Sequence, residues 1–233
     1  MTTPPSLLLP DDCEVIALAD FDQDGTAAIA ALADAVGAAP AKARAIAPCL
    51  PPPSGPMTND ALSPAIAAAL PEGAIVVDES LTSANSVAAL STSAPPISWL
   101  SITGGAIGIG IPLATGAAIA CLDRPVIGLQ ADGSAMYTLQ ALWTQAREGL
   151  NVTTIIFANR GYNILKHELF NVGANSGPEA LSMLELDRPE LDFVSLARGM
   201  GVPGRRVGDP ANLYAAIRHA VIEPGPLLIE AAL

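Results

Sequence analysis

Basic residues are scarce in this chain: 11 Lys and Arg stand against 23 Asp and Glu, for a formal net charge of −12. That balance excludes nucleic acid as a partner, because a phosphate backbone is held by clustered Lys and Arg, and these are scattered. Cysteine is equally thin. Cys13, Cys49 and Cys121 lie far apart with no C-x₂-C spacing, so neither a zinc site nor an iron–sulfur cluster is indicated, and all three are expected to be reduced, with Cys121 buried on a helix. The two histidines, His167 and His219, do not form a metal pair. No apolar run reaches ~18 residues without polar interruption, so no segment is expected to span a membrane. No basic stretch precedes an apolar one at the N-terminus, so no secretory leader is expected and the address is cytoplasmic by default.

What the chain does have is apolar content: 51% of its 233 residues are hydrophobic and 15% charged, enough for a sizeable core in one domain plus an appendage. The Pro-rich stretch 48–56 reads as a stiff, extended linker. Before it, residues 14–20 read as a strand and 26–36 as an Ala-rich helix. A piece of about 50 residues is not expected to be stable alone. After the linker, strands are expected near 74–78, 97–101, 125–130, 152–158 and 226–231. Helices are expected near 58–70, 82–90, 105–121, 135–148, 192–199 and 210–221. This alternation implies an α/β fold, a doubly wound parallel sheet with helices on both faces.

The most informative residues are Ala131-Asp132-Gly133-Ser134 and, one helix and one strand later, Asn159-Arg160-Gly161-Tyr162. Asp132 falls at the carboxyl end of a buried strand, where open α/β sheets bind ligands. Gly133 lacks a Cβ and lets a phosphate approach the backbone, and Ser134 can cap the helix behind it. The strand 152–158 delivers Asn159 to the same edge. Magnesium takes about six oxygen ligands and shares some with substrate phosphate. Asp132, the amide oxygen of Asn159 and the backbone oxygen of Gly161 supply three, so metal and diphosphate would bind together. Taken singly, an Asp-Gly is a turn and an Asn after a strand a solvated loop residue. In one strand–turn–helix–strand frame they point to a shared site.

These residues resemble the cofactor motif of thiamine diphosphate enzymes, Gly-Asp-Gly followed about 25 to 30 residues later by Asn-Asn. With Ser134-Ala135 and Ala141-Leu142-Trp143-Thr144, the stretch is similar to benzoylformate decarboxylase and its acetolactate synthase relatives. The likeness runs over 57–233, the family's pyrophosphate-binding domain, and makes 1–47 the remnant of a middle domain. Ala131 and Ala158 replace the first Gly and the first Asn of the motif. The resemblance implies thiamine diphosphate and Mg²⁺ as cofactors. Gly133, Ser134 and Tyr162 would then contact the cofactor.

The same resemblance gives roles to other segments. In Gly104-Gly105-Ala106-Ile107-Gly108-Ile109-Gly110, Ile107 matches the apolar prop that holds the cofactor bent, and the Gly105 carbonyl the acceptor of its 4′-amino group. A tightly packed helix start is the alternative reading of these glycines. Asp78-Glu79-Ser80 matches the first strand-end loop, whose hydroxyls help bind diphosphate. Leu81 takes one hydroxyl position and leaves Thr82 as the candidate, while Glu79 is either a residue behind the cofactor's contacts or a solvated loop acid. On the helix after Tyr162, Leu165 stands where pyruvate decarboxylases carry a catalytic Glu, and Glu168, one turn on, can face the same substrate pocket or solvent.

No catalytic side chain is expected in the chain itself, because the family's activating Glu belongs to a separate pyrimidine-binding domain. On the resemblance that domain would lie upstream of Met1 or on a partner chain, so this polypeptide holds half an active site, acting on a small 2-oxo acid with a pyrimidine-domain partner, in a homo-oligomer, or both. A split subunit, a fragment of a longer protein and a degenerate relative all remain open. A non-catalytic cofactor-binding or assembly subunit is the alternative function. A nicotinamide-binding domain is disfavoured, since no G-x-G-x-x-G follows the first strand.

Overall fold

The computed structural model describes residues 13–39, 54–93, 95–174 and 177–233. The chain divides into two compact units, Met1–Arg44 and Ala45–Leu233.

In the first unit, helix α1 (Gly25–Ala35) starts where Asp24 Oδ1 accepts the N–H groups of Thr26 and Ala27, both at 3.0 Å. None of its residues is buried. The strand expected at 14–20 is not formed, and these residues run as irregular backbone. A strand exists through its ladder, and among the described residues nothing pairs with this segment. The expected linker falls mostly outside the described residues, which resume at 54.

The second unit is an all-parallel six-stranded sheet. Its strands are β1 (Ile75–Glu79), β2 (Ser98–Ser101), β3 (Val126–Ala131), β4 (Val152–Ala158), β5 (Gly204–Val207) and β6 (Leu227–Ala232), in the order β2-β1-β3-β4-β6-β5. The helices that follow α1 are α2 (Asn59–Ala69), α3 (Val87–Leu90), α4 (Gly110–Ala120), α5 (Asp132–Ala135) and α6 (Ala141–Glu148). They continue with α7 (Asn163–Asn171), α8 (Pro178–Ser182), α9 (Phe193–Gly199) and α10 (Pro210–Ile222).

Successive strand residues point to opposite faces, and the core divides accordingly. Val76, Ile127, Leu129, Ile155, Phe157 and Ile229 pack under α2, α3 and α10. Ile75, Val77, Val126, Val152, Ile156 and Leu228 pack under α4, α6 and α9. β3 and β4 are buried at every position, as strands covered on both faces must be. From β1 the chain moves outward to β2, then returns across β1 to β3 and proceeds the other way, which puts the switch point between the carboxyl ends of β1 and β3.

Several boundaries differ from the sequence expectation, each for a local reason. β5 escapes the apolar pattern because Gly204-Arg205-Arg206-Val207 is a charged strand at the sheet edge, paired among the described residues with β6 alone. The helix expected at 82–90 shrinks to four residues, since Leu81 (φ 53°) and Ala84 (φ 53°) are left-handed and break it. The helix expected at 105–121 begins at Gly110, after a loop in which Gly104, Gly105 and Gly108 have positive φ. The helix expected at 135–148 is split into the single turn α5 and the later α6. Cys121 ends α4 half-buried rather than lying inside the helix.

Candidate functional site

Three strand ends meet in one cleft. β1 supplies Leu81 and Thr82, β3 supplies Ala131, Asp132, Gly133 and Ser134, and β4 supplies Asn159, Gly161, Tyr162, Asn163 and Ile164. The cleft thus gathers seven residues singled out in the sequence: Thr82, Asp132, Gly133, Ser134, Asn159, Gly161 and Tyr162.

Asp132 is 2% exposed. Its Oδ1 accepts the Gly133 N–H at 2.8 Å and its Oδ2 the Arg160 N–H at 2.7 Å. Burial pushes its carboxyl above the ordinary carboxylate range, and the backbone N–H groups of Arg160 and Gly133 oppose that shift. Among the described residues no side-chain cation pairs with it. Asn159 is oriented from both ends of its amide: Oδ1 accepts the Gly161 N–H at 3.1 Å, and Nδ2 donates to the buried Ser83 hydroxyl at 3.3 Å. The Gly161 carbonyl accepts the Asn163 N–H at 2.9 Å. Each of these oxygens keeps a lone pair beyond the bond it makes.

This donor set suits a hard cation. A buried carboxylate with only backbone partners, an amide oxygen and a main-chain carbonyl are oxygen ligands of the kind magnesium takes. Among the described residues no three His, Cys, Asp or Glu side chains cluster as a metal site, so an ion here would draw its remaining ligands from a bound anion or water.

Two readings of the Asp-Gly-Ser turn need correction. A Cβ on Gly133 would stand 2.5 Å from Tyr162 Cε1 and 3.3 Å from Leu186 Cδ1, so the missing side chain makes room for the Tyr162 ring rather than for an open approach. Ser134 does not cap a long helix: its hydroxyl accepts from Gln130 Nε2 at 2.7 Å and donates to the Ala131 carbonyl at 3.2 Å.

The remaining candidates lie elsewhere. Gly105 ends a single 3₁₀ turn and Ile107 is 40% exposed; neither lines the cleft. Leu165 and Glu168 face solvent on α7, where Glu168 accepts from Asn171 Nδ2 at 3.5 Å. His219 is half exposed, with Nε2 3.4 Å from Glu223 Oε1. Glu79, by contrast, is buried and not in solvent.

The structure gives roles to residues that the sequence left without one. Arg160 donates its N–H to Asp132, and its left-handed φ of 58° turns the next peptide, with the Gly161 N–H, toward Asn159. With Leu81 it puts strained, non-glycine backbone on two sides of one cleft, a frequent mark of functional sites. Residues 184–190 then strap the Arg160 loop down. Tyr162 N–H donates to the Leu184 carbonyl and Leu186 N–H to the Arg160 carbonyl, each at 2.8 Å. The Arg160 guanidinium lies 2.8 Å from Glu190, and Lys166 Nζ 2.8 Å from Glu185. Only Gln130 left a signal in the sequence, as a polar residue in an otherwise apolar strand.

The chain is similar to known proteins over most of its length. A family model described as thiamine pyrophosphate enzyme, C-terminal TPP binding domain, matches residues 82–231. A Mycobacterium tuberculosis protein named "Putative acetolactate synthase large subunit IlvX" is 51% identical over 231 residues, covering 97% of this chain and 44% of that protein. Benzoylformate decarboxylase of Pseudomonas aeruginosa is 34% identical over 183 residues, covering 78% of this chain and 34% of that enzyme. Among solved structures, the thiamine diphosphate-dependent 4-hydroxybenzoylformate decarboxylase of Rhodococcus jostii RHA1 superposes with a TM-score of 0.62 at 33% identity, over 74% of this chain and 31% of that one. The chain therefore spans less than half the length of these relatives.

Proposed function

The chain belongs to the thiamine pyrophosphate enzymes, whose C-terminal cofactor-binding domain it carries, and from that premise we propose that it binds Mg²⁺ with thiamine diphosphate and contributes half of an active site that works on a 2-oxo acid. Asp132, Asn159 and the Gly161 carbonyl hold the ion. The diphosphate lies against Thr82, Gly133, Ser134 and Tyr162, with Gly105 and Ile107 meeting the organic half. The activating carboxylate comes from a pyrimidine-binding domain on another part of the assembly, as a partner chain or in a homo-oligomer.

When bound, thiamine diphosphate supplies an electron sink for making or breaking a carbon–carbon bond beside a carbonyl. The residues of this chain bind and orient it. Asp132 and Asn159 fix the ion on a backbone turn held down by residues 184–190, and burial of Asp132 keeps water from competing for its oxygens.

The observation that carries the reading is the convergence of Asp132 and Asn159 on two consecutive N–H groups at the carboxyl ends of the neighbouring strands β3 and β4. It is tested by calorimetric titration of thiamine diphosphate into the full chain, with and without Mg²⁺. Heat that requires the metal, and that Asp132→Ala abolishes, is expected. Metal-independent binding, or an Asp132→Ala variant that binds equally well, overturns it. Turnover of 2-oxo acids by the chain alone would overturn the half-site reading.

The alternative is a non-catalytic cofactor-binding or assembly subunit. Among the cleft-lining residues Asp132 is the single acid, as both readings expect. Adding a pyrimidine-domain chain separates the two readings, since turnover appears only in the first.

A further inference from the structure

Glu79 ends β1 as a carboxylate only 1% exposed. Its Oε1 accepts the Gly108 N–H at 2.6 Å, and its Oε2 accepts the Gly110 N–H. Among the described residues no side-chain cation faces it. Burying a carboxylate is costly, and hydrogen bonds return that cost only in part. A Leu or Gln would fill the same volume more cheaply. What a carboxylate alone provides is two acceptor oxygens on one rigid plane, here set against N–H groups two residues apart.

The loop that Glu79 holds has little stiffness of its own. Gly104, Gly105 and Gly108 have φ of 63°, 70° and 86°, so its position comes from its anchors. Glu79 takes the N–H side. Thr138 takes the other, donating its hydroxyl to the Gly108 carbonyl. A Cβ on Gly108 would stand 2.6 Å from Tyr137 Cβ, and one on Gly110 would overlap Gln130 Oε1 and stand 2.8 Å from Glu79 Oε2. Gln130 lies beside Glu79 in the β1–β3 register and donates to Ser134. The loop is therefore seated against the segment that also carries Asp132, through side chains that do not line the cleft.

We infer that Glu79 is a positioning residue for the cofactor: it sets the height of loop 104–110 above the sheet, so that Gly105 and Ile107 meet the organic half of thiamine diphosphate. The diphosphate half is gripped separately, by the Asp132 turn. This inference rests on the cofactor reading proposed above.

The test compares two probes on the full chain by calorimetry, magnesium with inorganic pyrophosphate and magnesium with thiamine diphosphate, together with amide hydrogen exchange. Glu79→Gln keeps one acceptor and turns a donor toward the other N–H. It is expected to weaken thiamine diphosphate binding roughly tenfold or more, to leave pyrophosphate binding unchanged, and to speed exchange at Gly108 and Gly110. Glu79→Asp, one methylene shorter, carries the same comparison should the amide variant fail to fold. Equal weakening of both probes in a folded variant, or of neither, overturns the role of Glu79 and leaves the cofactor reading intact. A wild-type chain that binds neither probe in a magnesium-dependent way overturns both.

Discussion

Asp132 and Asn159 are set on the same turn of backbone: Asp132 Oδ2 accepts the N–H of Arg160 and Asn159 Oδ1 accepts the N–H of Gly161, the very next residue. The two side chains come from different strands, 27 positions apart in the chain. Their oxygens are placed by two consecutive peptide units joined at Arg160, and the left-handed conformation of Arg160 sets the direction of one unit against the other. What stabilises the turn therefore governs both oxygens at once.

Ser83 is the first residue to test on this basis. Its buried hydroxyl accepts from Asn159 Nδ2 and fixes which end of the amide faces the cleft. Ser83→Ala is expected to cost about 1 kcal/mol of stability. It should also raise the magnesium concentration needed for thiamine diphosphate binding roughly ten- to hundredfold, as loss of a supporting partner does at metal sites. A magnesium titration at fixed cofactor reads the effect, and an unchanged midpoint would remove Ser83 from the site.

Gly133→Ala tests the packing of the turn. The new methyl would meet the Tyr162 ring at 2.5 Å, and overpacking of this kind costs about 1–3 kcal/mol. Urea unfolding measures the loss. Adding Tyr162→Ala should recover part of it, because the clash then has no partner; strictly additive losses would show that Gly133 is needed for another reason.

At the far edge of the sheet, Arg206 reaches Glu230 at 2.7 Å and Glu190 at 3.4 Å. Burial alone would lower the guanidinium pKa, and the neighbouring Glu230 and Glu190 more than offset that, holding it above its ordinary value. Glu230 is fully buried while Arg206 is partly exposed. Arg206→Met leaves that carboxylate without its cation and is expected to destabilise the domain by about 2–3 kcal/mol, less than the roughly 3–5 kcal/mol of a fully buried pair because Arg206 keeps contact with solvent. Arg206→Met with Glu230→Leu should lose less than the single variant. Denaturant midpoints decide between these outcomes.

Asp192 gives a pH prediction. Its side chain accepts from the Ser195 hydroxyl and from the Ser195 N–H at the start of α9, and those bonds lower its pKa. A lowered folded-state value contributes stability that is fully present above the unfolded value of about 3.9 and is lost as pH falls through the folded value. The stability gap between wild type and Asp192→Ala should be present near about pH 7 and narrow as pH falls below about 3.9. A gap that does not change with pH would mean that the cap does not depend on charge.

Much of the fold was legible in the sequence because it follows from period and composition. The five strands expected from apolar runs form within a residue or two of their expected bounds, and for β3 and β4 the reason is that a parallel strand buried on both faces leaves little freedom in what it can contain. β5 was missed because it lies at an edge, where Arg205 and Arg206 can reach solvent and no apolar signal is required. The strand expected at 14–20 failed in the opposite way: a local pattern was present and, among the described residues, a ladder partner was not.

At the site, the sequence by itself determined the chemistry on offer: a carboxylate after β3, an amide after β4, and glycines where the chain turns. These are facts of side-chain type and spacing, and a doubly wound sheet brings its strand ends to one edge. Only the tertiary structure decided how each is used. It buried Glu79 under the glycine loop, gave the space at Gly133 to Tyr162, and bound Ser134 to Gln130. It also left Glu168 in solvent and strapped Arg160 with residues 184–190. Each of these outcomes depends on contacts between distant segments or on desolvation, and both are set by packing in three dimensions rather than by any local pattern.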